Sequence, residues 1–269
     1  MISVFYKITF GVILFALVGR SFSTTLEETF KKRIDAEDKT SISVTNKNGN
    51  IALSGWDKAE IEVIAHKKVR APNPEKAREI LNELKISISE LGKHVEIETD
   101  TPSKRSGGSG FLYWLFSGSF ISDVSVEYII KVPHKMNVEL RSGNGKLIVD
   151  QCQGTVDLRT TNGKIIANGI QGALHCKTIN GSIKAIFDDI DLKEDMTLQT
   201  TNGSIQLYIP EYCNADLEAR TINGSVRSSL PIAWEDSQSK RIRYGQLNNG
   251  GPMIFLKTTN GSIRIEASK

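Results

Sequence analysis

The sequence is short of the residues that most often cross-link a chain or bind metals. The cysteines are Cys152, Cys176 and Cys213, and the histidines are His66, His94, His134 and His175. An odd number of cysteines excludes a fully paired disulfide framework. Two interpretations remain: three small buried apolar side chains, or one bridge and one free thiol. The histidines are scattered singly, and this spacing argues against a histidine metal site.

Enzyme signatures are also missing. The chain contains no GxSxG, HExxH, CxxC or P-loop motif, which argues against the enzyme classes that those motifs mark. The acidic run FDDIDLKED at 187–195 lacks the spaced Asp/Gly pattern of a calcium loop, and we interpret it as a solvated turn. We therefore expect no catalytic residue, no metal and no cofactor.

Neither sign of charge predominates. The chain has 34 basic and 31 acidic residues, a formal net charge of +3. Lys7 and Arg20 lie in the first 23 residues, which hold no acid, so the rest of the chain is closer to neutral. Binding to nucleic acid calls for a strongly basic domain, and we expect no nucleic-acid partner.

Long hydrophobic runs are absent except near the start. The run ITFGVILFALVG at 8–19 has 12 residues, too few to span a bilayer. Ser21 and Ser23 supply the small residues of a cleavage site after Ser23. We predict a signal peptide at 1–23, and export to the periplasm, the cell surface or the medium. The alternative is an uncleaved N-terminal anchor, which Arg20 and the short run disfavour.

Asn-Gly is abundant. Seven aligned pairs begin at Asn48, Asn144, Asn162, Asn180, Asn202, Asn223 and Asn260. Four of the six intervals are 18–22 residues long, a period that indicates stacked repeats. Apolar side chains fill 27 of the 28 positions that lie four and six residues before, and three and five after, these Asn residues. Such alternation predicts a half-buried strand on each side of every pair.

Two folds account for these strands, an antiparallel meander and a parallel β-solenoid. Asn-Gly is a strong hairpin signal, but hairpins do not require identical residues in identical frame. In a solenoid each residue lies on its own copy about 4.8 Å away, so that Asn forms an amide ladder and the preceding Thr a hydroxyl ladder. We expect Gly at positive φ in each corner. The predicted fold class is all-β, a parallel β-solenoid of about seven T-x-N-G coils.

The longest interval, between the first two aligned Asn-Gly pairs, interrupts the repeat with a segment of different sequence pattern. APNPEKAREILNELK at 71–85 predicts a helix capped by Asn73, with Pro74 in its first turn. Strand-like segments lie on both sides of this helix. The segment 57–136 is therefore interpreted as an inserted αβ element that caps one end of the solenoid. A second interruption, at 231–252, predicts a projecting hairpin.

These boundaries define the expected domain organisation. We predict a linker at 24–39 and a single solenoid domain at 40–269. Within the insertion, the segment 103–120 sets large apolar residues between Gly/Ser flanks. Its candidate functional residues are Phe111, Tyr113, Trp114 and Phe116. One interpretation is a loop that contacts a membrane or a partner, and the other is a loop tucked over the solenoid's hydrophobic face.

When the repeats are aligned, the position three residues before the Asn forms a column in which most residues are basic. Its candidate ligand-binding members are Arg141, Arg159, Lys177, Arg220 and Lys257. Stacked like charges repel, and a ligand with regularly spaced anions, such as an acidic polysaccharide, would relieve that repulsion. The structural alternative is that Glu139, Asp157 and Glu218, two residues earlier, offset the charge while long basic side chains cover the sheet.

The features that carry a family resemblance are the serial T-x-N-G units, the inserted helix, the segment VEYIIKVP and the closing segment NNGGPMIFLKTTNGSIRI. In these features the chain resembles a bacterial family, the putative adhesins with β-strand repeats, a domain of unknown function. The resemblance covers roughly residues 40–267. It implies a solenoid-like β fold and an envelope or extracellular location. The family has no established catalytic residues, so none is assigned to this chain.

The expected function is a non-enzymatic, exported binding or surface-interaction module. Its expected partner is an acidic glycan or another envelope protein, with peripheral membrane contact through 111–116. The alternative is a polysaccharide-active enzyme, a lyase or hydrolase on a β-helix scaffold. A clustered cleft of acids and bases would favour the enzyme, and a flat ladder face would favour binding. A purely structural envelope protein is not separated from a binding module by the sequence.

Overall fold

The computed structural model describes residues 23–100, 123–187, 192–235 and 241–268. These residues form 21 strands and one helix, so the all-β prediction is confirmed. The first elements are β1 (Thr24–Asp35), β2 (Ser41–Asn48), β3 (Ile51–Trp56), β4 (Glu60–Ala71), α1 (Pro74–Glu83), β5 (Lys85–Leu91), β6 (His94–Asp100), β7 (Asp123–Pro133), β8 (Asn137–Asn144), β9 (Leu147–Asp150) and β10 (Val156–Asn162). They are followed by β11 (Ile165–Asn168), β12 (Leu174–Lys177), β13 (Ile183–Ile186), β14 (Met196–Gln199), β15 (Ile205–Ile209), β16 (Ala215–Asn223), β17 (Val226–Ser228), β18 (Ala233–Trp234), β19 (Ile242–Leu247), β20 (Met253–Asn260) and β21 (Ile263–Ala267).

The strands form two large sheets in which most neighbours run parallel. The ten-stranded sheet has the order β1-β4-β7-β3-β9-β11-β13-β15-β21-β17, and the eleven-stranded sheet has the order β18-β19-β16-β20-β14-β12-β10-β8-β2-β6-β5. Each of the seven aligned Asn-Gly pairs joins a strand of the eleven-stranded sheet to a strand of the ten-stranded sheet. We call the two strands together with their pair a repeat unit. The chain changes sheets at the pair instead of folding back on itself, so the antiparallel meander is excluded for the repeat.

Strand alternation places the core between the two sheets. In β10, Val156 and Leu158 are fully buried, whereas Arg159 is exposed. In β11 of the same repeat unit, Ile165 and Ala167 are buried in turn. Burying apolar area in this way is the main favourable contribution to folding. Each sheet thus has one apolar inner face and one polar outer face.

The corner asparagines stack in register, as predicted. Asn144 lies opposite Asn162, and the register continues through Asn180, Asn202, Asn260 and Asn223. From Asn162 onward, each amide Nδ2 donates to the Oδ1 of the preceding Asn in this order, at 2.6–2.8 Å. Each interior amide therefore donates one hydrogen bond and accepts another, which accounts for Asn at this position.

The predicted threonine hydroxyl ladder is wrong. The Thr two residues before Asn is buried, and its Oγ1 donates to the carbonyl oxygen of a corner glycine in the neighbouring repeat unit. Examples are Thr178 to Gly163 at 3.1 Å and Thr258 to Gly203 at 2.8 Å. A hydroxyl has one proton to donate, and here that proton goes to a backbone carbonyl oxygen and not to the threonine of the neighbouring repeat unit.

The reason proposed for glycine is also corrected. Of the seven corner glycines, only Gly49 has a positive φ, 118°. At the other six corners a Cβ would lie only 1.8–2.0 Å from the carbonyl oxygen of the neighbouring unit's glycine. Glycine is therefore required because two backbones approach closely, a recognised use of this residue.

The order of the last units in space differs from their order in the chain. β20 lies between β14 and β16, and β21 lies between β15 and β17. The final repeat unit is thus inserted beside the fifth, and the sixth is displaced to the end. The predicted hairpin at 231–252 forms as β18 and β19, but β19 pairs with β16 at the sheet edge instead of projecting.

Most of the segment predicted as a linker, residues 24–35, forms a strand. β1 pairs antiparallel with β4 along its full length, from Thr24 opposite Ala71 to Asp35 opposite Glu60. The linker prediction failed because TTLEETFKKRID alternates poorly, since the strand lies at the edge of the sheet and is only half-buried.

The insertion extends both sheets past the first repeat unit. β6 pairs with β2, and β7 pairs with β3, both parallel. The predicted helix is confirmed as α1, whose N-cap Asn73 accepts a hydrogen bond from the backbone N–H of Lys76 at 2.8 Å. Its buried residues Ala77 and Leu81 join the core beside β1 and β4.

Candidate binding surface

The basic column of the sequence becomes one row on the outer face of the eleven-stranded sheet. In spatial order the row consists of Arg141, Arg159, Lys177, Gln199, Lys257 and Arg220, each opposite the next in strand register. We call it the basic row. The structure therefore brings together all five basic residues that the sequence singled out, although Arg220 and Lys257 exchange places relative to chain order.

The arginines of the row are neutralised by their own strands. Arg159 makes two parallel hydrogen bonds to the carboxylate of Asp157, at 2.8 and 2.7 Å. This carboxylate raises the pKa of Arg159 above its ordinary value. Arg141 pairs with Glu139 through a single carboxylate oxygen, Oε1. Charge compensation by the neighbouring acidic residues thus occurs at these positions.

Arg220, at the far end of the row, is held from two sides. Its guanidinium forms an ion pair with Glu218 and donates to the hydroxyl of Tyr244 at 2.7 Å. The guanidinium also lies over the Tyr244 ring, 5.7 Å from its centroid. Tyr244 was not found from the sequence, because β19 belongs to no repeat unit and no periodic position marks this residue.

The two lysines of the row have no such compensation. His175 and Phe255 take the place of the acid two residues before Lys177 and Lys257. Both lysines are exposed, and neither forms an ion pair with any residue that the structure describes. Two strand spacings separate them, about 10 Å, with Gln199 between. The uncompensated positive charge is therefore concentrated in the middle of the row.

The aromatic cluster Phe111, Tyr113, Trp114 and Phe116 lies outside the described residues, and so do residues 188–191 of the acidic run. The flanks of the aromatic segment are described. Thr99 occupies the position of the corner threonine, with its hydroxyl donating to Asn46 Oδ1 at 3.0 Å. β6 thus ends where a corner begins in the repeat units, and β7 lies in the opposite sheet.

The core contains titratable side chains, among them the three cysteines and Tyr128. The three cysteines are buried, and Cys152 and Cys176 are not bridged, which leaves no pair for a disulfide and selects the first of the two interpretations offered for them. Burial raises the pKa of the Cys152 thiol to about 11 and that of the Tyr128 hydroxyl to about 12. Such groups remain protonated at neutral pH and are poor nucleophiles or bases.

Within the described ranges, no group of three or more His, Cys, Asp or Glu side chains is arranged to hold a metal ion. No helix among the described residues has the length and apolar character needed to cross a bilayer.

Comparison with solved structures finds similar chains at low identity. A putative cell adhesion protein from Clostridium sporogenes is 13% identical, with a TM-score of 0.46 over 90% of this chain and 100% of its own. A putative adhesin from Bacteroides fragilis is 12% identical, with a TM-score of 0.35 over 89% of this chain and 97% of its own. A putative lipid binding protein from Parabacteroides distasonis is 12% identical, with a TM-score of 0.33 over 90% of this chain and 97% of its own.

No curated protein matches the chain. A family model does match: the one described as Toastrack DUF4097 aligns with residues 33–266. The match includes every repeat unit and the insertion between the first two. The resemblance drawn from the T-x-N-G units is thereby confirmed, and the chain belongs to the Toastrack DUF4097 family.

Proposed function

We propose that this protein is a non-enzymatic, exported binding module that uses the outer face of the eleven-stranded sheet. The observation that carries the proposal is the basic row, in which aligned side chains repeat at the strand spacing on an exposed, regular surface. Acidic residues compensate the arginines, whereas Lys177 and Lys257 retain free charge. Binding and surface interaction also agree with the adhesin names of the similar structures.

The scaffold we propose is a parallel β-solenoid of seven T-x-N-G coils, one for each repeat unit. The Asn ladder and the close glycine contacts support it, because both require identical residues on adjacent parallel strands. A domain of this kind at 40–269, with its insertion at 57–136, presents a rigid face whose charge spacing hardly varies.

We further propose that residues 1–23 are removed on export. The start of β1 at Thr24, directly after the expected cleavage at Ser23, supports this proposal. N-terminal sequencing of the chain recovered from the periplasm, the cell surface or the medium tests it. An N-terminus at Met1 would contradict it.

The ligand class we propose is an acidic polysaccharide. Lys177 and Lys257 offer two ammonium groups about 10 Å apart, which suits carboxylates or sulfates spaced along a glycan. Ammonium groups act as point charges, so no bidentate geometry restricts which anion they accept. The carboxylates of Glu139 and Asp157 limit the binding of anions at the arginine end of the row.

Retention on an acidic glycan column, measured as the salt concentration needed for elution, tests the proposal. We expect the double variant Lys177→Gln/Lys257→Gln to elute at clearly lower salt than the wild type. The variant Asp157→Asn should elute at higher salt, because it frees Arg159. Salt screens these interactions over a length of about 10 Å at 0.1 M.

A matched control comes from the opposite sheet. Lys184→Gln removes one positive charge from the outer face of the ten-stranded sheet, where Lys184 lies 5.2 Å from the Tyr208 ring centroid. It should change elution less than Lys177→Gln alone. Equal shifts for these two variants would mean that only net charge matters, and the proposed site would be wrong.

A further inference from the structure

β1 ends the ten-stranded sheet with an open edge. It pairs with β4 on one side, and no other strand among the described residues pairs with it. The strand is 12 residues long and contains neither proline nor glycine. Such an edge presents a row of backbone N–H and C=O groups that can pair with another strand.

We propose that a second copy of this chain pairs with β1, antiparallel and through its own β1. A two-fold axis normal to the sheet would then pass midway between the two copies of Phe30, and the two ten-stranded sheets would become continuous. In such an isologous contact each residue meets a defined residue of the other copy, and the pairing must be self-complementary.

The inner face of β1 meets this requirement. With Phe30 opposite the partner's Phe30, Leu26 lies opposite Ile34 of the partner subunit. Ile34 is buried and both Leu26 and Phe30 pack against the core, so the apolar surface would extend across the axis. Glu28 lies opposite the partner's Lys32, an attractive cross-strand pair.

The outer face is complementary as well. Glu27 lies opposite the partner's Arg33 in the same register. Glu27 already pairs with Lys68 at 3.1 Å, and Arg33 pairs with Glu62 at 2.9 Å. Across the axis the row therefore reads basic, acidic, basic, acidic, with unlike charges adjacent at every step.

The inner row shows the same alternation. Lys67 pairs with Glu28 at 2.9 Å, and the partner's Lys32 would flank that carboxylate on its other side. Lys32 is exposed and forms no ion pair with any described residue. The dimer would therefore supply the missing opposite charge.

Other antiparallel registers lack this complementarity. Centring the axis on Lys31 or on Glu28 would place that residue directly against the same residue of the partner, a repulsive arrangement. Centring it on Thr29 would set Glu28 against the partner's Phe30. Registers that shift by half a residue would bring an inner-face residue opposite an outer-face one. Phe30 is the centre that satisfies both faces.

Sedimentation of the exported chain over a range of concentrations is the first test. We expect a reversible monomer–dimer equilibrium. Lys32→Glu should raise the dimer dissociation constant by about tenfold or more, because two attractive pairs per dimer become repulsive. A wild-type chain that stays monomeric at every concentration would overturn the proposal, and so would a dimer that Lys32→Glu leaves unchanged.

Cysteine cross-linking tests the register. Phe30→Cys should form an interchain disulfide under mild oxidation, because residues directly opposite in a strand pair have Cα atoms about 4.5–5.5 Å apart. Glu27→Cys and Arg33→Cys should not cross-link singly, whereas the double variant should. These two residues are about 20 Å apart within one strand, so they cannot bridge each other in the same chain.

The single variants serve as matched controls of equal thiol exposure. Thermal unfolding of each variant checks that it folds, and the native cysteines contribute little background because they are buried. Cross-linking of either single variant to the same extent as the double variant would refute the register.

Discussion

Replacing one corner glycine with alanine should separate two neighbouring repeat units. At Gly181 the new Cβ would lie 1.9 Å from the carbonyl oxygen of Gly163 and 2.5 Å from its carbonyl carbon. A normal contact requires more than 3 Å, so the backbones must move apart by about 1 Å. The atoms that the new Cβ would meet belong to the backbone, so no flexible side chain can move to relieve the contact.

The cost follows from the hydrogen bonds that join these two corners. Thr178 donates to Gly163 O at 3.1 Å, and Asn180 donates to Asn162 at 2.7 Å. Backbone bonds from Gly163, Ile165 and Asn180 add to these. Losing three of these hydrogen bonds at about 1 kcal/mol each gives a loss of about 3 kcal/mol in the free energy of unfolding.

Urea-induced unfolding, followed by circular dichroism, measures this loss. Gly92 provides the control, because it has a φ of 60° and a Cβ there would meet nothing within 4 Å. Gly92→Ala should cost about 1–2 kcal/mol, from backbone conformation alone.

Substitution by asparagine distinguishes the two possible reasons for glycine, which are a left-handed backbone conformation and the close approach of two backbones. Asn tolerates the left-handed region better than Ala, so Gly92→Asn should be milder than Gly92→Ala. Gly181→Asn should be at least as costly as Gly181→Ala, because both place a Cβ against the same carbonyl. If asparagine restores stability at Gly181, conformation and not close approach explains the corner glycines, and our reasoning is refuted.

Two further outcomes concern buried polar groups. Thr258→Val should lower the free energy of unfolding by about 1–3 kcal/mol, because it removes the hydroxyl that donates to Gly203 O; Thr258→Ser keeps the donor, and urea titrations should show it to be clearly less destabilised. The pKa of Tyr128 is raised from 10.0 to about 12 mainly by burial, so the protonated form is favoured in the folded state; this contribution is complete below pH 10 and is lost as the pH rises from 10 towards 12. Tyr128→Phe removes the titrating group, and its stability should fall less than that of the wild type over this pH range.

Much of the repeat was predictable because its information is local. The alternation around each Asn assigned the inner and outer residues correctly, and Asn73 with Pro74 located the start of α1. The in-frame Asn residues also predicted the amide ladder. Each of these inferences depends on a few neighbouring residues and on the geometry of a strand or a helix turn.

The predictions were wrong or incomplete where the role of a residue depends on a contact with a distant part of the chain. The threonine hydroxyl donates to a glycine carbonyl of another repeat unit. The corner glycine is required because a carbonyl oxygen of the neighbouring repeat unit lies against it, and no residue near it in the sequence reveals that contact. β1 was interpreted as a linker because its strand character comes from pairing with β4. Likewise, Tyr244 reaches Arg220 only through β19, which lies outside the repeat.

The sequence by itself determined the repeat, the strands, their buried faces and the column of basic residues, since side-chain alternation and residue identity are properties of the local chain. The tertiary structure alone decided which strands are neighbours. It inserted β20 between β14 and β16, which left Lys177 and Lys257 on either side of Gln199 and moved Arg220 to the end of the row. Among the described strands, it also left one edge of β1 without a pairing partner. Near-identical repeat units bury the same faces in any order, so only the packing of the whole chain selects one arrangement.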